Sequence, residues 1–197
     1  MRSLTKKLFT VFLSLALLLS PCNIGAAQAE NTSIHKSSFS IGQTIYSSFS
    51  EEDEIQTHHF SLSSSGTASF TYTKTSDVAF NMRIFDSKNN AVFNSYMNSS
   101  ESFSIDLIKG DYTIETECYY DPGSYTIKTG FVNANETYTG DNSTLEKANT
   151  ISLGSTFIGH IAENRVEDNY KFTLPNSGKL TITYSQIDDI YAWISLY

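Results

Sequence analysis

Several short runs of the chain alternate between apolar and polar residues, and none of the longer stretches repeats with the period of a helix. Residues 68–72 place Ala68, Phe70 and Tyr72 on one side of an extended chain. A period of two is typical of a half-buried β-strand, whereas an amphipathic helix repeats about every 3.6 residues. The same alternation gives four more one-sided sets: Phe103, Ile105 and Leu107; Tyr112 and Ile114; Tyr125 and Ile127; and Leu180, Ile182 and Tyr184.

Turn-forming residues separate these runs. They occur as Ser65-Gly66, Lys109-Gly110-Asp111, Asp121-Pro122-Gly123 and Asn176-Ser177-Gly178. Short strands rich in Thr, Tyr, Phe and Ile between regularly spaced turns are typical of antiparallel two-sheet folds. The pattern therefore predicts an all-β protein with an antiparallel β-sandwich.

An internal repeat organises the chain. Residues 152–197 align without a gap on residues 40–85, so that Gly154 falls on Gly42 and Phe172 on Phe60, 112 positions apart. About eleven positions are identical, and apolar character is kept at most others. We therefore predict a complete first repeat at 33–132, a polar linker at 133–144, and the N-terminal half of a second, truncated repeat at 145–197. The incomplete second repeat is expected to be the less stable of the two.

Residues 1–29 have the three parts of a secretory signal peptide. Arg2, Lys6 and Lys7 precede an apolar run at 8–19, and small residues at 27–29 offer a cleavage site. The apolar run is shorter than the roughly 20 residues that a membrane-spanning helix needs. We predict a secreted, extracellular protein without a membrane span.

The charge balance excludes one large class of partner. The chain has 13 Lys and Arg against 21 Asp and Glu, for a net charge of -8. Nucleic-acid binding requires clustered basic residues to neutralise phosphates, so no nucleic-acid partner is expected. An anionic membrane surface is also a poor match.

The order of several short motifs carries a family resemblance. The second repeat has Asp-Asn-Tyr-Lys-Phe at 168–172, followed by the Ser-Gly turn at 177–178. The first has Leu-Ile-Lys-Gly-Asp-Tyr-Thr-Ile at 107–114 and Gly-Ser-Tyr-Thr-Ile at 123–127. Each repeat thereby resembles the bacterial pre-peptidase C-terminal domain and is similar to the collagen-binding modules of clostridial collagenases. The resemblance implies one complete and one truncated copy of a jelly-roll-like, non-catalytic module of secreted enzymes.

The resemblance also implies a calcium site. Some members bind calcium between the linker and the loop before the Asp-containing strand, and calcium prefers carboxylate and amide oxygens. The matching residues here are Asp141, Asn142, Glu167 and Asp168. Gly140 stands where the family commonly has Glu, and Glu136 is the nearest acid that might replace it. The alternative is that these acids are only solvated loop residues.

Aromatic residues are the candidates for ligand contact. Tyr119 and Tyr120 lie beside the last strands of the first repeat, and the period-two rule predicts that one of them points outward. Exposed tyrosines offer a large, rigid contact area with a polar tip. The alternative is that these rings belong to the core.

Catalytic arrangements are not favoured. Metalloprotease, serine-hydrolase and phosphate-loop motifs do not occur in the sequence. Adjacent His58 and His59 should face opposite sides of a strand, and the acids at 188–189 fit a turn better than a glycosidase pair. Cys118, in a predicted strand, is interpreted as a buried small side chain rather than a nucleophile.

Three functions fit these features. The first is a secreted, non-enzymatic accessory module that binds an extracellular protein fibre or polysaccharide, or assists secretion of an enzyme. The second is a fragment of a larger secreted, peptidase-like hydrolase whose catalytic domain lies elsewhere. The third is a structural spacer at the cell surface. The oligomeric state is left open.

Overall fold

The computed structural model describes residues 34–185 and 192–197. The predicted signal peptide at 1–29 and the acids at 188–189 lie outside the described residues. Nine strands form the body of the fold: β1 (Ile34–Ser38), β2 (Thr44–Ser48), β3 (Ile55–Leu62), β4 (Gly66–Lys74), β5 (Phe80–Asp86), β6 (Ala91–Met97), β7 (Glu101–Leu107), β8 (Gly110–Cys118) and β9 (Ser124–Asn133).

The strands make two sheets that pack as a sandwich. One sheet has five strands in the order β1-β3-β8-β5-β6, and the other has four in the order β2-β9-β4-β7. The predicted all-β sandwich is thus confirmed. One pairing departs from antiparallel order: β1 runs parallel to β3, in the register Ile34 opposite Ile55. The reason is that β2, which connects them in sequence, belongs to the other sheet.

The core lies between the sheets and follows the alternation read from the sequence. Phe70, Tyr72, Ile114 and Ile127 are fully buried, and Tyr125 is 1% exposed. Burying such side chains contributes on the order of 1.5–3 kcal/mol each. The rings pack at angles rather than in one stack, as in the 5.0 Å edge-on contact between Tyr72 and Phe80.

Regular structure is sparse beyond β9. A single turn of 3₁₀ helix (Leu145–Lys147) precedes β10 (Asn149–Thr150), which pairs in parallel with β11 (Tyr170–Lys171). The run at 179–184, predicted to be a strand, is not one: Ile182 and Tyr184 are 49% and 50% exposed. A strand needs a neighbour to pair its backbone groups, and none of the described residues lies beside this run as a partner.

A short turn joins this C-terminal part to the sandwich. Ala162 and Arg165 form an isolated bridge, and the residues between them reach the loop after β7. The Glu163 amide donates to the Asp106 carbonyl at 3.1 Å, and Asn164 Nδ2 donates to the Tyr112 hydroxyl at 3.0 Å.

Candidate functional site

The outer side of the five-stranded sheet presents exposed tyrosines around a fixed arginine. We call Arg83, Tyr96, Glu115, Glu117 and Tyr119 the tyrosine face. Arg83 lies on β5, opposite Asn94 of β6 on one side and Glu115 of β8 on the other. Inward residues of these strands fill the core, so their alternate residues must point to solvent.

Two carboxylates fix the Arg83 side chain. Its Nε donates to Glu115 Oε1 at 2.9 Å, and one terminal nitrogen donates to Glu117 Oε2 at 2.7 Å. Partial burial alone would lower the Arg83 pKa, but hydrogen bonding to Glu115 and the charges of both glutamates raise it. Arg83 is therefore a permanent cation held between two anions.

The tyrosine rings flank this ion pair. Tyr119 is 39% exposed, and its hydroxyl donates to Glu117 Oε2 at 3.2 Å. Tyr96 on β6 is 45% exposed, with its ring centroid 6.4 Å from that of Tyr119. Tyr120 is 63% exposed. The expectation that only one of Tyr119 and Tyr120 points outward is therefore wrong: β8 ends at Cys118, so the period-two rule does not extend to them.

The structure gives the four predicted calcium ligands different surroundings. Asp141 is bound by Lys147, whose hydrogen bond lowers the pKa of that carboxyl. Glu167 is exposed, while Asn142 is 1% exposed and pairs with Asn169: Asn169 Nδ2 donates to the Asn142 carbonyl at 3.0 Å. Among the residues that the structure describes, no three His, Cys, Asp or Glu side chains are grouped to hold a metal ion.

Arg165 forms an ion pair with Asp168, the fourth predicted calcium ligand. Its side chain is 5% exposed and bonds to Glu136, the linker acid, and its Nε lies 3.1 Å from Asp168 Oδ1. Burial raises the pKa of Asp168, and the Arg165 charge opposes that shift. Three buried oxygens of these residues lack hydrogen-bond partners: Glu136 Oε2, Asn142 Oδ1 and Asp168 Oδ1. Calcium binding stays a prediction: the unpartnered oxygens favour it, and the cation already present opposes it.

A row of polar residues occupies inward positions near the start of β3. Glu54, Gln56 and His58 are 2%, 3% and 5% exposed and line a cavity of about 540 Å³ with β1 and β2. Burial opposes ionisation of Glu54, but hydrogen bonds from Gln56 and Ser50 together outweigh it and lower its pKa. Burial also lowers the pKa of His58 to about 4, so it is neutral at pH 7. His59 is exposed, which confirms that the two histidines face opposite sides.

Cys118 is the last residue of β8 and is fully buried. Its Sγ donates to the Tyr120 carbonyl at 2.9 Å, and burial raises the pKa of the thiol. A protonated, buried thiol is a poor nucleophile, in agreement with the packing role expected from the sequence.

Sequence reasoning missed Tyr96, Arg83, Glu115 and Glu117. The charges of Glu115 and Glu117 alternate with the inward residues of β8, which was a usable signal for an outward face. Nothing in the sequence showed that β5 lies between β6 and β8.

No known family profile matches the chain, and no curated protein matches its sequence. Solved structures that are similar to it include the following three. The pre-peptidase C-terminal domain of Bacillus anthracis collagenase is 13% identical, covers 50% of this chain and 98% of its own, and has a TM-score of 0.44. Aeromonas hydrophila PliG, a periplasmic inhibitor of g-type lysozyme, is 10% identical, with 51% and 100% coverage and a TM-score of 0.39. A Paenibacillus barengoltzii β-glucosidase is 9% identical, with 49% and 11% coverage and a TM-score of 0.26.

No helix in the described residues is long and apolar enough to span a bilayer.

Proposed function

We propose that this protein is a secreted, non-catalytic accessory module that binds an extracellular protein through the tyrosine face. The observation that carries the proposal is the exposed pair Tyr96 and Tyr119 beside the fixed Arg83. Tyrosine and arginine are the residues most often enriched where protein interfaces gain their affinity.

Rigidity of the face supports binding. Arg83 is already held by Glu115 and Glu117, and Tyr119 is hydrogen-bonded to the second of these. Side chains fixed before contact lose little conformational entropy on association, so more of the contact energy becomes affinity. The net charge of -8 favours a basic partner surface. Of the two polymer classes that the sequence left open, this set of residues favours protein over polysaccharide.

Co-sedimentation tests the proposal. The secreted chain is mixed with insoluble collagen fibrils as the protein probe, and with insoluble peptidoglycan as the polysaccharide probe. We expect retention on the fibrils, with Tyr119→Ala or Tyr96→Ala weakening it about tenfold or more, because hot-spot truncations cost roughly 2 kcal/mol or more.

Tyr46 supplies the matched control, since it is 80% exposed but lies on β2 in the other sheet. Tyr46→Ala should change retention less than about twofold. Retention on peptidoglycan alone would reject a protein partner. Equal losses for Tyr46→Ala and Tyr119→Ala, or no retention on either polymer, would reject the tyrosine face.

We further propose that Asp141, Asn142, Glu167 and Asp168 bind calcium only weakly, because Arg165 already neutralises Asp168. A stabilising ligand raises the melting temperature in proportion to the logarithm of its concentration over its dissociation constant. We expect millimolar calcium to raise the Tm of the Arg165→Gln variant more than that of the native chain, with magnesium as the control. No calcium-specific shift in either protein would remove the calcium proposal.

A further inference from the structure

Four loops meet at the end of the sandwich where β8 ends. They connect β2 to β3, β4 to β5, β6 to β7 and β8 to β9, and comprise residues 49–54, 75–79, 98–100 and 119–123. Hydrogen bonds of 3.0–3.3 Å link these loops and the strand ends beside them, from Phe49 to Gly123, from Ser124 to Ser76 and from Lys74 to Asn98. The four loops therefore form one continuous surface.

This surface is strongly acidic, and we call it the acidic end. Its four loops contain six Asp and Glu and no Lys, Arg or His. Glu54 is buried, and the other five acids are exposed: Glu51, Glu52, Asp53, Asp77 and Asp121. The loops at the opposite end of the sandwich contain two lysines and no acid, and comprise residues 39–43, 63–65, 87–90 and 108–109. Negative charge is thus concentrated at one end of the fold.

Most of these exposed carboxylates are free to bind a cation of another molecule. Asp77 pairs with Lys74, with 3.9 Å between the charged atoms. Among residues 34–185 and 192–197, the other four exposed acids of the acidic end form no ion pair. A field of one sign attracts a partner of opposite charge and orients it before contact.

The acidic end adjoins the tyrosine face. The Asp53 amide donates to the Cys118 carbonyl at 2.9 Å, directly before Tyr119 in the chain. Residue 53 has a φ of 58°, a left-handed value that Asp and Asn adopt more readily than most residues. Burial and the Glu117 charge raise the pKa of the Tyr119 hydroxyl, and the Asp53 charge adds to that shift. Tyr120, which is 63% exposed, belongs to the acidic end itself.

Arg83 does not reverse the sign of the tyrosine face. Its guanidinium is held between Glu115 and Glu117, so this group combines one cation with two anions. The rings of Tyr96 and Tyr119, with centroids 6.4 Å apart, lie beside it. The face of a tyrosine ring attracts the ammonium group of Lys or the guanidinium group of Arg. Rings and carboxylates thus favour the same kind of side chain.

We propose that the partner protein contacts the tyrosine face through a basic segment, whose Lys and Arg side chains bind the tyrosine rings and the carboxylates of the acidic end. This inference rests on the proposed function and adds the chemistry of the partner. Charge complementarity selects a basic segment against neutral and acidic ones. A second copy of the chain is a poor match, because its own net charge is -8.

Two synthetic peptides test the sign of the partner's charge. The basic peptide alternates Lys with Gly, and the neutral peptide of the same length has Gln in place of each Lys. Binding to the full chain is measured by fluorescence anisotropy. We expect the basic peptide alone to bind, and its affinity to fall about tenfold between about 0.01 M and about 0.15 M salt, because screening shortens the reach of exposed charges.

A pair of double variants locates the binding surface. Glu52→Gln with Asp53→Asn removes two charges from the acidic end, and Asn keeps the left-handed backbone at residue 53. This variant should weaken binding of the basic peptide about threefold or more. Glu146→Gln with Glu163→Gln removes two charges from exposed positions beyond β9 and should change binding less than about twofold. Tyr119→Ala should weaken the basic peptide about fivefold or more.

The outcomes separate this inference from the proposed function. Equal binding of the two peptides, no binding of the basic one, or equal losses in the two double variants would overturn the basic segment. Retention on collagen fibrils that requires Tyr119 but is unchanged in Glu52→Gln with Asp53→Asn would also reject it, while keeping the tyrosine face. Dimers of the chain alone that the same double variant weakens would assign the acidic end to a second copy and overturn the proposal.

Discussion

His58 is the histidine that the fold buries, and its neutral state has a cost that depends on pH. Its pKa is lowered from 6.5 to about 4 by burial and, to a smaller extent, by the charge of His59. Its Nδ1 bonds to Ser37 Oγ at 2.6 Å, and its Nε2 has no hydrogen-bond partner. A second proton would have to enter an environment with little solvent to stabilise it.

The free energy of unfolding should therefore decrease as pH decreases through a defined window. Between pH 6.5 and 4 the unfolded chain binds a proton at residue 58 that the folded chain does not. The contribution of neutral His58 to the free energy of unfolding is complete above pH 6.5 and is lost as pH falls toward 4. From pH 7 to pH 5 the free energy of unfolding should drop by about 2 kcal/mol from this group. Glu54 has a carboxyl pKa lowered from 4.5, so its contribution is lost mainly as pH falls below about 4.5, outside the range from pH 7 to pH 5.

Urea unfolding at pH 7, 6 and 5 measures the effect. His58→Gln should remove most of the pH dependence, even if it lowers stability at every pH. His59→Gln is the matched control, because His59 is exposed on the opposite face, and its slope should remain close to native. A native slope in His58→Gln would contradict the assignment.

The sequence predicted which side of a strand a residue faces wherever the residue lies within a regular strand, and it failed where the strand had already ended. The opposite orientation of His58 and His59 followed from the period of a strand. Tyr119 and Tyr120 lie beyond the end of β8, so the same rule predicted them wrongly. The sequence did not show that Lys147 and Arg165 bind two of the predicted calcium ligands, Asp141 and Asp168, or that Arg165 also pairs with Glu136, 29 residues away.

At the scale of elements, alternation located the strands that have one buried and one exposed face. β4 and β8 alternate along nearly their whole length, and both were predicted. β6 is an edge strand with only one buried residue, Met97, so its sequence carries little periodic signal. The run at 179–184 alternates in the same way, but among the described residues no neighbouring strand pairs with it. A pattern can therefore indicate which face of a strand would be buried, while the strand itself depends on a neighbour.

The order of the strands in each sheet could not be predicted from local sequence patterns. Arg83 meets Glu115 because β5 and β8 are adjacent, although 32 residues separate these two side chains in sequence. The internal repeat that the sequence predicts is a non-local pattern, because it pairs segments 112 positions apart. At that spacing, β1/β3 and β10/β11 are both parallel pairs with the same register.

At the scale of the whole molecule, the hydrophobic core of the described residues lies in the sandwich and unites its two sheets. Beyond β9, the half-buried rings of Tyr138, Phe157 and Tyr170 form an aromatic cluster, with centroids 4.3–6.3 Å apart. Beside it lies the buried group of Glu136, Arg165 and Asp168. Removing such charges from water offsets much of their attraction, so this buried group is weak evidence for added stability.

Opening free energies should consequently differ across the chain. We expect amides in the centre of β8, such as that of Ile114, to exchange only on global unfolding, since β8 pairs on both sides. The Ile151 amide donates to the Lys171 carbonyl at 2.9 Å but directly follows the two-residue strand β10, so it should exchange at least about 100-fold faster. Native-state hydrogen exchange resolved by residue measures both. Equal opening energies would show that the residues beyond β9 and the sandwich unfold as one cooperative unit.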